Sequence, residues 1–214
     1  MSADAPRRAR RLLLVALAGG VAAGVAVAAF YGMGGAGRNS AACAADAPTL
    51  AAMKPLARGE VAAVIVPDRP GALPDLAFKD ADGRDMTLAD LRGRTVLLNL
   101  WATWCAPCRE EMPALDALQQ RLGGADFEVL AISIDTGDPA KPLAFLEEIG
   151  VRSLTFRSDP TTGVFRALRS AGRAPGLPTS ILVDPAGCEI GFLPGPADWA
   201  SDDAVALVEA ALRR

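Results

Sequence analysis

The hydrophobic pattern separates a long uncharged run near the N-terminus from a region of shorter, periodic runs. Positions 12–31 carry no charge and follow four arginines at positions 7, 8, 10 and 11. As a helix rising about 1.5 Å per residue, this run is roughly 30 Å long, the thickness of a bilayer core. It predicts a transmembrane anchor, with a cleaved signal peptide as the alternative. Under both interpretations the arginines stay in the cytoplasm and the following chain is exported.

The pattern beyond the anchor predicts a tether and one folded domain. Positions 32–48 are rich in glycine and alanine and carry few large apolar residues, which is typical of a flexible linker. We therefore divide the chain into a basic cytoplasmic tail (1–11), an anchor (12–31), a tether (32–48) and a domain (49–214).

Three consecutive runs within the domain predict a parallel β-α-β unit. The continuous apolar run Thr95–Trp101 is typical of a strand that is buried on both faces. A helix is predicted from Pro107 because leucines recur on one stripe until two glycines end it. The run 127–134 predicts the next buried strand, and parallel strands joined by a helix form a right-handed crossover.

The other runs predict short strands and further helices. They indicate a short strand at 60–66, a hairpin formed by 76–78 and Met86, helices opened by Asp138 and Asp159, a second hairpin formed by 180–183 and 189–193, and a last helix capped by Ser201. The fold class is therefore α/β, a central mixed sheet flanked by helices.

Composition excludes several kinds of chemistry. The net charge is −3 and histidine is absent. A basic surface for nucleic acid is therefore not indicated, and catalytic triads or metal sites that need histidine are excluded. The chain has four cysteines, one close pair and two distant single residues, which does not match the two close pairs of a structural zinc site. We predict no metal and no cofactor.

The close pair lies where a strand leads into a helix. In "WCAPC" the spacing places Cys105 at the helix N-terminus and Cys108 one turn later, with Pro107 in the first turn. Free N–H groups and the helix dipole lower the pKa of a thiol at that position. The pattern predicts that the outer thiolate attacks a disulfide and the inner thiol resolves the mixed disulfide.

The segments "VLLNLWATWCAPCREEMPAL" and "GLPTSILVD" resemble the TlpA/ResA/CcmG-like family of membrane-anchored periplasmic thioredoxin-like thiol:disulfide oxidoreductases. The resemblance implies a thioredoxin fold with an N-terminal extension and an inserted helical segment. It also implies a redox-active Cys105–Cys108 disulfide and a cis peptide bond between Leu177 and Pro178. Trp104 is expected to shield the site.

The resemblance also concerns the proton acceptor. Thioredoxins have a buried aspartate where this chain has Asn99, which cannot take a proton. The family instead implies that Glu111, six residues after Cys105, accepts the proton of Cys108. The alternative is a solvated helix carboxylate without a catalytic role.

The two single cysteines are also implied to pair. The family resemblance and an oxidising compartment indicate a structural disulfide between Cys43 and Cys188. Lipid attachment at Cys43 is the alternative.

The resemblance implies a reductant held at the inner membrane with its domain in the periplasm. A membrane electron donor of the CcdA/DsbD type would supply electrons, and the expected partners are protein disulfides. These are the copper A subunit of cytochrome c oxidase and a Sco-type copper chaperone. The alternatives are reduction of apocytochrome c thiols and, in a different class, a tethered copper-binding module. A peroxidase is less well supported because a second cysteine lies so close to Cys105.

Overall fold

The structure is a computed structural model that describes residues 43 and 47–213. Within these residues a single mixed sheet forms the centre of the domain, with strand order β1-β8-β7-β4-β5-β6-β2-β3. The strands are β1 (Gly71–Ala72), β2 (Ala77–Lys79), β3 (Asp85–Thr87), β4 (Thr95–Trp101), β5 (Phe127–Ser133), β6 (Arg157–Ser158), β7 (Thr179–Val183) and β8 (Cys188–Pro194).

Helices pack against this sheet and connect its strands. They are α1 (Ala47–Met53), α2 (Ala106–Leu122), α3 (Ala140–Glu148), α4 (Gly163–Ser170) and α5 (Asp202–Leu212), together with 3₁₀ turns at Lys54–Leu56, Gly59–Val61 and Leu88–Leu91. Helix α1 begins at Ala47, two residues before the predicted start of the domain.

The predicted β-α-β unit is confirmed. Every residue of β4 is buried, as expected for a continuous apolar run. Strand β5 pairs with β4 in parallel, and α2 connects the two. On its other edge β4 pairs with the antiparallel β7, so that Asn99 lies opposite Ser180. The sheet is therefore mixed, and its central strand leads directly into the segment that contains Cys105.

The predicted strand at 60–66 is wrong. This segment contains a 3₁₀ turn and a single bridge between Ile65 and Phe192. Val61 and Val64 are buried while the two alanines between them are exposed. A spacing of three between buried positions suits a helical turn better than the period of two that a strand requires.

Two helices differ in detail from the prediction. Helix α4 starts at Gly163 rather than directly after Asp159, whose carboxylate instead accepts hydrogen bonds from the N–H groups of Thr161 and Val164. Leucine spacing in the helix opened by Asp138 predicts Leu143 on the buried face, but in α3 Phe145 is buried and Leu143 is exposed.

The predicted anchor (12–31) and most of the tether lie outside the residues that the structure describes. Among residues 43 and 47–213, none of the helices combines the length and apolar character needed to cross a membrane.

Candidate active site

The two cysteines of the CxxC motif form a disulfide at the N-terminus of α2. Cys105 is the N-cap residue, and its Sγ accepts a hydrogen bond from the N–H of Cys108 at 3.3 Å. Pro107 occupies the first turn, where its missing N–H costs no hydrogen bond. Cys105 is 6% exposed and Cys108 is fully buried, so a protein substrate reaches the first sulfur before the second.

The loop between β4 and Cys105 is fixed by one carboxylate. Asp135, just beyond the end of β5, accepts hydrogen bonds from the N–H and the hydroxyl of Thr103, at 2.9 and 2.6 Å. The hydroxyl of Ser133 also donates to Asp135 at 2.8 Å. These bonds hold the segment that presents Trp104, which is 69% exposed, and leads into Cys105.

The peptide bond between Leu177 and Pro178 is cis. Pro178 directly precedes β7, and Thr179 of β7 pairs with Leu100 of β4. Because the two strands are antiparallel, the start of β7 lies at the end of β4 from which the chain enters the Cys105 loop. Pro178 and the CxxC motif therefore share one edge of the sheet.

Glu111 is buried in α2, with only 4% of its surface exposed. Its Oε1 accepts hydrogen bonds from the indole Nε1–H of Trp199 at 2.7 Å and from the N–H of Ala197 at 3.1 Å. Its Oε2 accepts one from the side-chain amide of Asn99 at 3.2 Å. The alternative of a solvated carboxylate is therefore wrong for Glu111.

Burial raises the pKa of Glu111 from 4.5 to about 7, because desolvation of the carboxylate outweighs the three hydrogen bonds that favour its charged form. Glu111 follows Cys108 by three residues on α2, so the two side chains are neighbours on the helix surface. A carboxylate with a pKa close to neutrality can accept a proton and release it again at physiological pH.

Asn99 links Glu111 to the central sheet. It is fully buried on β4, and its Nδ2 also donates to the hydroxyl of Ser180 at 2.9 Å. The pairing of Asn99 with Ser180 across β4 and β7 accounts for that contact.

The remaining two cysteines form a second disulfide, Cys43–Cys188, which joins residues 145 positions apart. Cys188 is the first residue of β8, near the end of β7 at Val183 rather than its start at Thr179. This disulfide is therefore at the other end of the sheet from the CxxC motif. Because the sulfur of Cys43 is bonded to the sulfur of Cys188, it cannot also carry a lipid, and the alternative of lipid attachment at Cys43 is wrong.

A groove of about 350 Å³ opens beside the first turn of α2. It is lined by residues of α2 and by residues of α3 or directly after it: Ala106, Arg109 and Glu110 from the first helix, Phe145 and Ile149 from the second. The guanidinium of Arg109 lies 5.0 Å from the ring centre of Phe145. The groove therefore offers both charge and apolar surface next to the disulfide.

Within residues 43 and 47–213, we find no cluster of three or more carboxylate or thiol side chains that could share a metal ion.

Sequence reasoning missed three members of the site: Asp135, Ser180 and Trp199. Ser180 is at a predicted strand position, but its partner depends on a register that the sequence does not specify. Trp199 is 88 residues from Glu111, and only the path of the loop before α5 brings them together. For Asp135, a polar residue directly after a buried strand was an available signal.

Known proteins match both the sequence and the fold. A model of the AhpC/TSA family matches residues 71–188. Thiol-disulfide oxidoreductase ResA of Geobacillus thermodenitrificans is 37% identical over 117 residues, which cover 52% of this chain and 60% of that protein. Thioredoxin-like protein YneN of Bacillus subtilis is 53% identical over 68 residues, 32% of this chain and 39% of that protein. The match therefore spans three fifths or less of these two relatives.

The solved structures extend the match to the fold. A thiol:disulfide interchange protein of the thioredoxin family from Chlorobium tepidum has a TM-score of 0.55 and 27% identity, covering 68% of this chain and 98% of that one. The matched residues 71–188 of this chain contain both CxxC cysteines, Glu111 and Pro178. The family match over more than half of the chain, together with the thioredoxin-like fold, shows that the protein belongs to the AhpC/TSA family.

Proposed function

We propose that the protein is a thiol:disulfide oxidoreductase that reduces protein disulfides through Cys105 and Cys108. The observation that carries this proposal is the CxxC disulfide at the N-terminus of α2, backed by the buried carboxylate of Glu111. The names of the matched ResA and thiol:disulfide interchange proteins support the same activity.

The reduced form supplies two electrons to the substrate, whose two sulfurs take up protons from Cys108 and from water. The Cys105 thiolate, stabilised by the helix N-terminus, attacks one substrate sulfur, breaks the substrate S–S bond and forms a mixed disulfide. The other substrate sulfur leaves as a thiolate and takes a proton from water. Cys108 then attacks Sγ of Cys105 and releases the second substrate sulfur.

Glu111 assists the second step. The Cys108 thiol must lose its proton as it attacks, and Glu111 is the buried base one helical turn away. Because the pKa of Glu111 is about 7, a substantial fraction is ionised and able to accept that proton near neutral pH. The proton then passes to the departing thiolate or to water.

The finer proposal concerns place and partners. The uncharged run 12–31 with its preceding arginines supports an anchor in the inner membrane and a domain in the periplasm. The Cys43–Cys188 disulfide supports an oxidising compartment. We propose a CcdA/DsbD-type membrane protein as the electron donor and, as clients, the copper A subunit of cytochrome c oxidase and a Sco-type copper chaperone.

The reduction potential tests the direction of electron flow. The full-length protein is equilibrated with glutathione buffers, and the fluorescence of Trp101 and Trp104 reports the Cys105–Cys108 couple. A potential below about −220 mV supports a reductant. A potential near about −120 mV, typical of a strong oxidant, contradicts the proposal.

Trapping identifies the client. Cys108→Ser should hold the client in a mixed disulfide with Cys105, and Cys105→Ser is the matched control that should hold none. Recovery of the copper A subunit or the copper chaperone supports the proposed role, and recovery of apocytochrome c supports the alternative. Tight Cu(I) binding by the reduced protein without any mixed disulfide would favour the copper-binding module.

A further inference from the structure

The two oxygens of the Glu111 carboxylate face different kinds of hydrogen-bond partner. Oε1 accepts from the indole N–H of Trp199 and the backbone N–H of Ala197. Both groups are donors only, and neither can accept a hydrogen bond. A proton on Oε1 would point at two other hydrogens, so the protonated form of Glu111 carries its proton on Oε2.

Oε2 faces a partner that can change its role. Of the residues that the structure describes, Asn99 is the hydrogen-bond partner of Oε2, through Nδ2 at 3.2 Å. This arrangement suits the ionised carboxylate. In the protonated form, however, the Oε2–H of Glu111 and the Nδ2–H of Asn99 would both be donors and would point at each other. A hydrogen bond between the two side chains then requires an acceptor in the place that Nδ2 occupies.

The acceptor is the other end of the same amide. Oδ1 of Asn99 is buried, and no donor in the described part of the chain reaches it. A half-turn of the amide exchanges Oδ1 and Nδ2, two atoms of nearly equal size. The turned Oδ1 would lie near both Oε2 of Glu111 and the hydroxyl of Ser180. That hydroxyl accepts from Nδ2 in one state and, by rotating, donates to Oδ1 in the other.

We propose that Asn99 is a positioning residue whose side-chain amide reverses when Glu111 takes up a proton. The amide donates to the ionised carboxylate and accepts from the carboxylic acid, while Ser180 reverses its own hydrogen bond in step. Trp199 and Ala197 hold Oε1 throughout, so the proton always enters and leaves at Oε2. An aspartate at position 99 could not do this, because its ionised form would lie against a second carboxylate.

The use of this switch in catalysis rests on the proposed function, because the proton concerned comes from Cys108. The switch itself exists in the oxidised protein, where the cysteines do not titrate.

The described elements around Glu111 bring no charged partner to it. Strands β4 and β7 carry no charged side chain. Arg109 and Glu110 on α2 are exposed, as is Asp198 in the loop that holds Oε1, and none of the described ion pairs involves Glu111.

Nuclear magnetic resonance of the oxidised, full-length protein tests the reversal. The chain has two asparagines, 39 and 99, and three tryptophans, so selective ¹⁵N labelling gives few signals. Asn39→Gln assigns the Asn99 amide. We expect the Trp199 indole proton to move downfield as the pH rises through about 7, since its acceptor becomes charged. The nuclear Overhauser effect between the Asn99 amide protons and the Ser180 β-protons should be lost below the same midpoint.

Glu111→Gln provides the matched control. Its amide oxygen keeps both Oε1 donors and its NH₂ replaces the Oε2 proton, so Asn99 should stay in the turned orientation and the Overhauser effect should be absent at every pH. Persistence of that effect in the wild type from pH 5 to 9, or an absence of titration of both signals, overturns the proposal. If the variant does not fold, the wild-type titration still decides. A protein that reduces no disulfide but shows the coincident titrations would refute the proposed function and keep the switch.

Discussion

Glutamine in place of Glu111 should stabilise the oxidised protein at pH 8 and leave its stability unchanged at pH 4. The glutamine side chain has the same shape as the protonated glutamate and can use the same partners: Asn99, Ala197 and Trp199. It differs only in that it cannot become charged. The variant therefore isolates the free energy of placing a carboxylate in this buried position.

The sign and size follow from the pKa. The pKa of Glu111 is 4.5 in the unfolded chain and about 7 in the folded protein, so the folded state binds more protons between these values. Stability from this group is fully present below 4.5 and is lost as the pH rises to about 7. At 1.36 kcal/mol per pKa unit, the loss is about 3 kcal/mol. The variant does not suffer that loss.

Urea unfolding of the oxidised proteins at pH 4, 6 and 8 measures the effect. We expect the free energy of unfolding of Glu111→Gln to equal that of the wild type at pH 4 and to exceed it by about 3 kcal/mol at pH 8. The control is Glu110→Gln, which removes an exposed carboxylate from the same helix and should change stability by less than about 0.5 kcal/mol. A constant difference between wild type and Glu111→Gln at all three pH values would refute the reasoning.

Two other variants test Asp135, which holds the loop before Cys105, and the distant Cys43–Cys188 disulfide. Asp135→Asn removes the charge that accepts two hydrogen bonds from Thr103, so it should lower the free energy of unfolding by about 2 kcal/mol and slow disulfide reduction. The control Asp138→Asn, at an exposed turn, should do neither. Thermal unfolding and an insulin reduction assay measure both. Removal of the Cys43–Cys188 disulfide by two serines should cost about 2–4 kcal/mol through the unfolded chain and leave the reduction rate unchanged. An altered rate would show that this disulfide acts on the CxxC motif.

The long central elements could be predicted because each has a strong local signal. The run Thr95–Trp101 has the observed bounds of β4, since a strand buried on both faces is apolar at every position. Strands β1 and β6 have only two residues each, too few for any period to show. The first two residues of α1, Ala47 and Pro48, fell in the predicted tether because the alanines at the start of the helix resemble those of the linker before it.

The residues of the site also differ in how far the sequence predicts their contacts. Cys105, Cys108 and Glu111 lie on one helix, so their spacing alone indicates that they are neighbours. The contact between Asn99 and Ser180 needs the register of β4 and β7, and the contact with Trp199 needs the path of a loop. Sequence therefore predicted which of these side chains are neighbours on α2, whereas the groups that hydrogen-bond to Glu111 come from distant parts of the chain.

The buried carboxylate of Glu111 explains the neutral residue at position 99. Two carboxylates at the 3.2 Å separation of Asn99 and Glu111 could not both be ionised, and their titrations would be coupled. With asparagine on β4, Glu111 is the only titratable side chain of the Asn99–Glu111 contact, and Asn99 can satisfy both of its protonation states. The carboxylate also joins α2 to the 197–199 segment through Oε1. A change of charge on Glu111 therefore alters its hydrogen bonds to β4 and to the 197–199 segment and, through Asn99, the hydrogen bond to Ser180 of β7. Protonation of this one side chain is in this way coupled to the packing of three elements behind the Cys105–Cys108 disulfide.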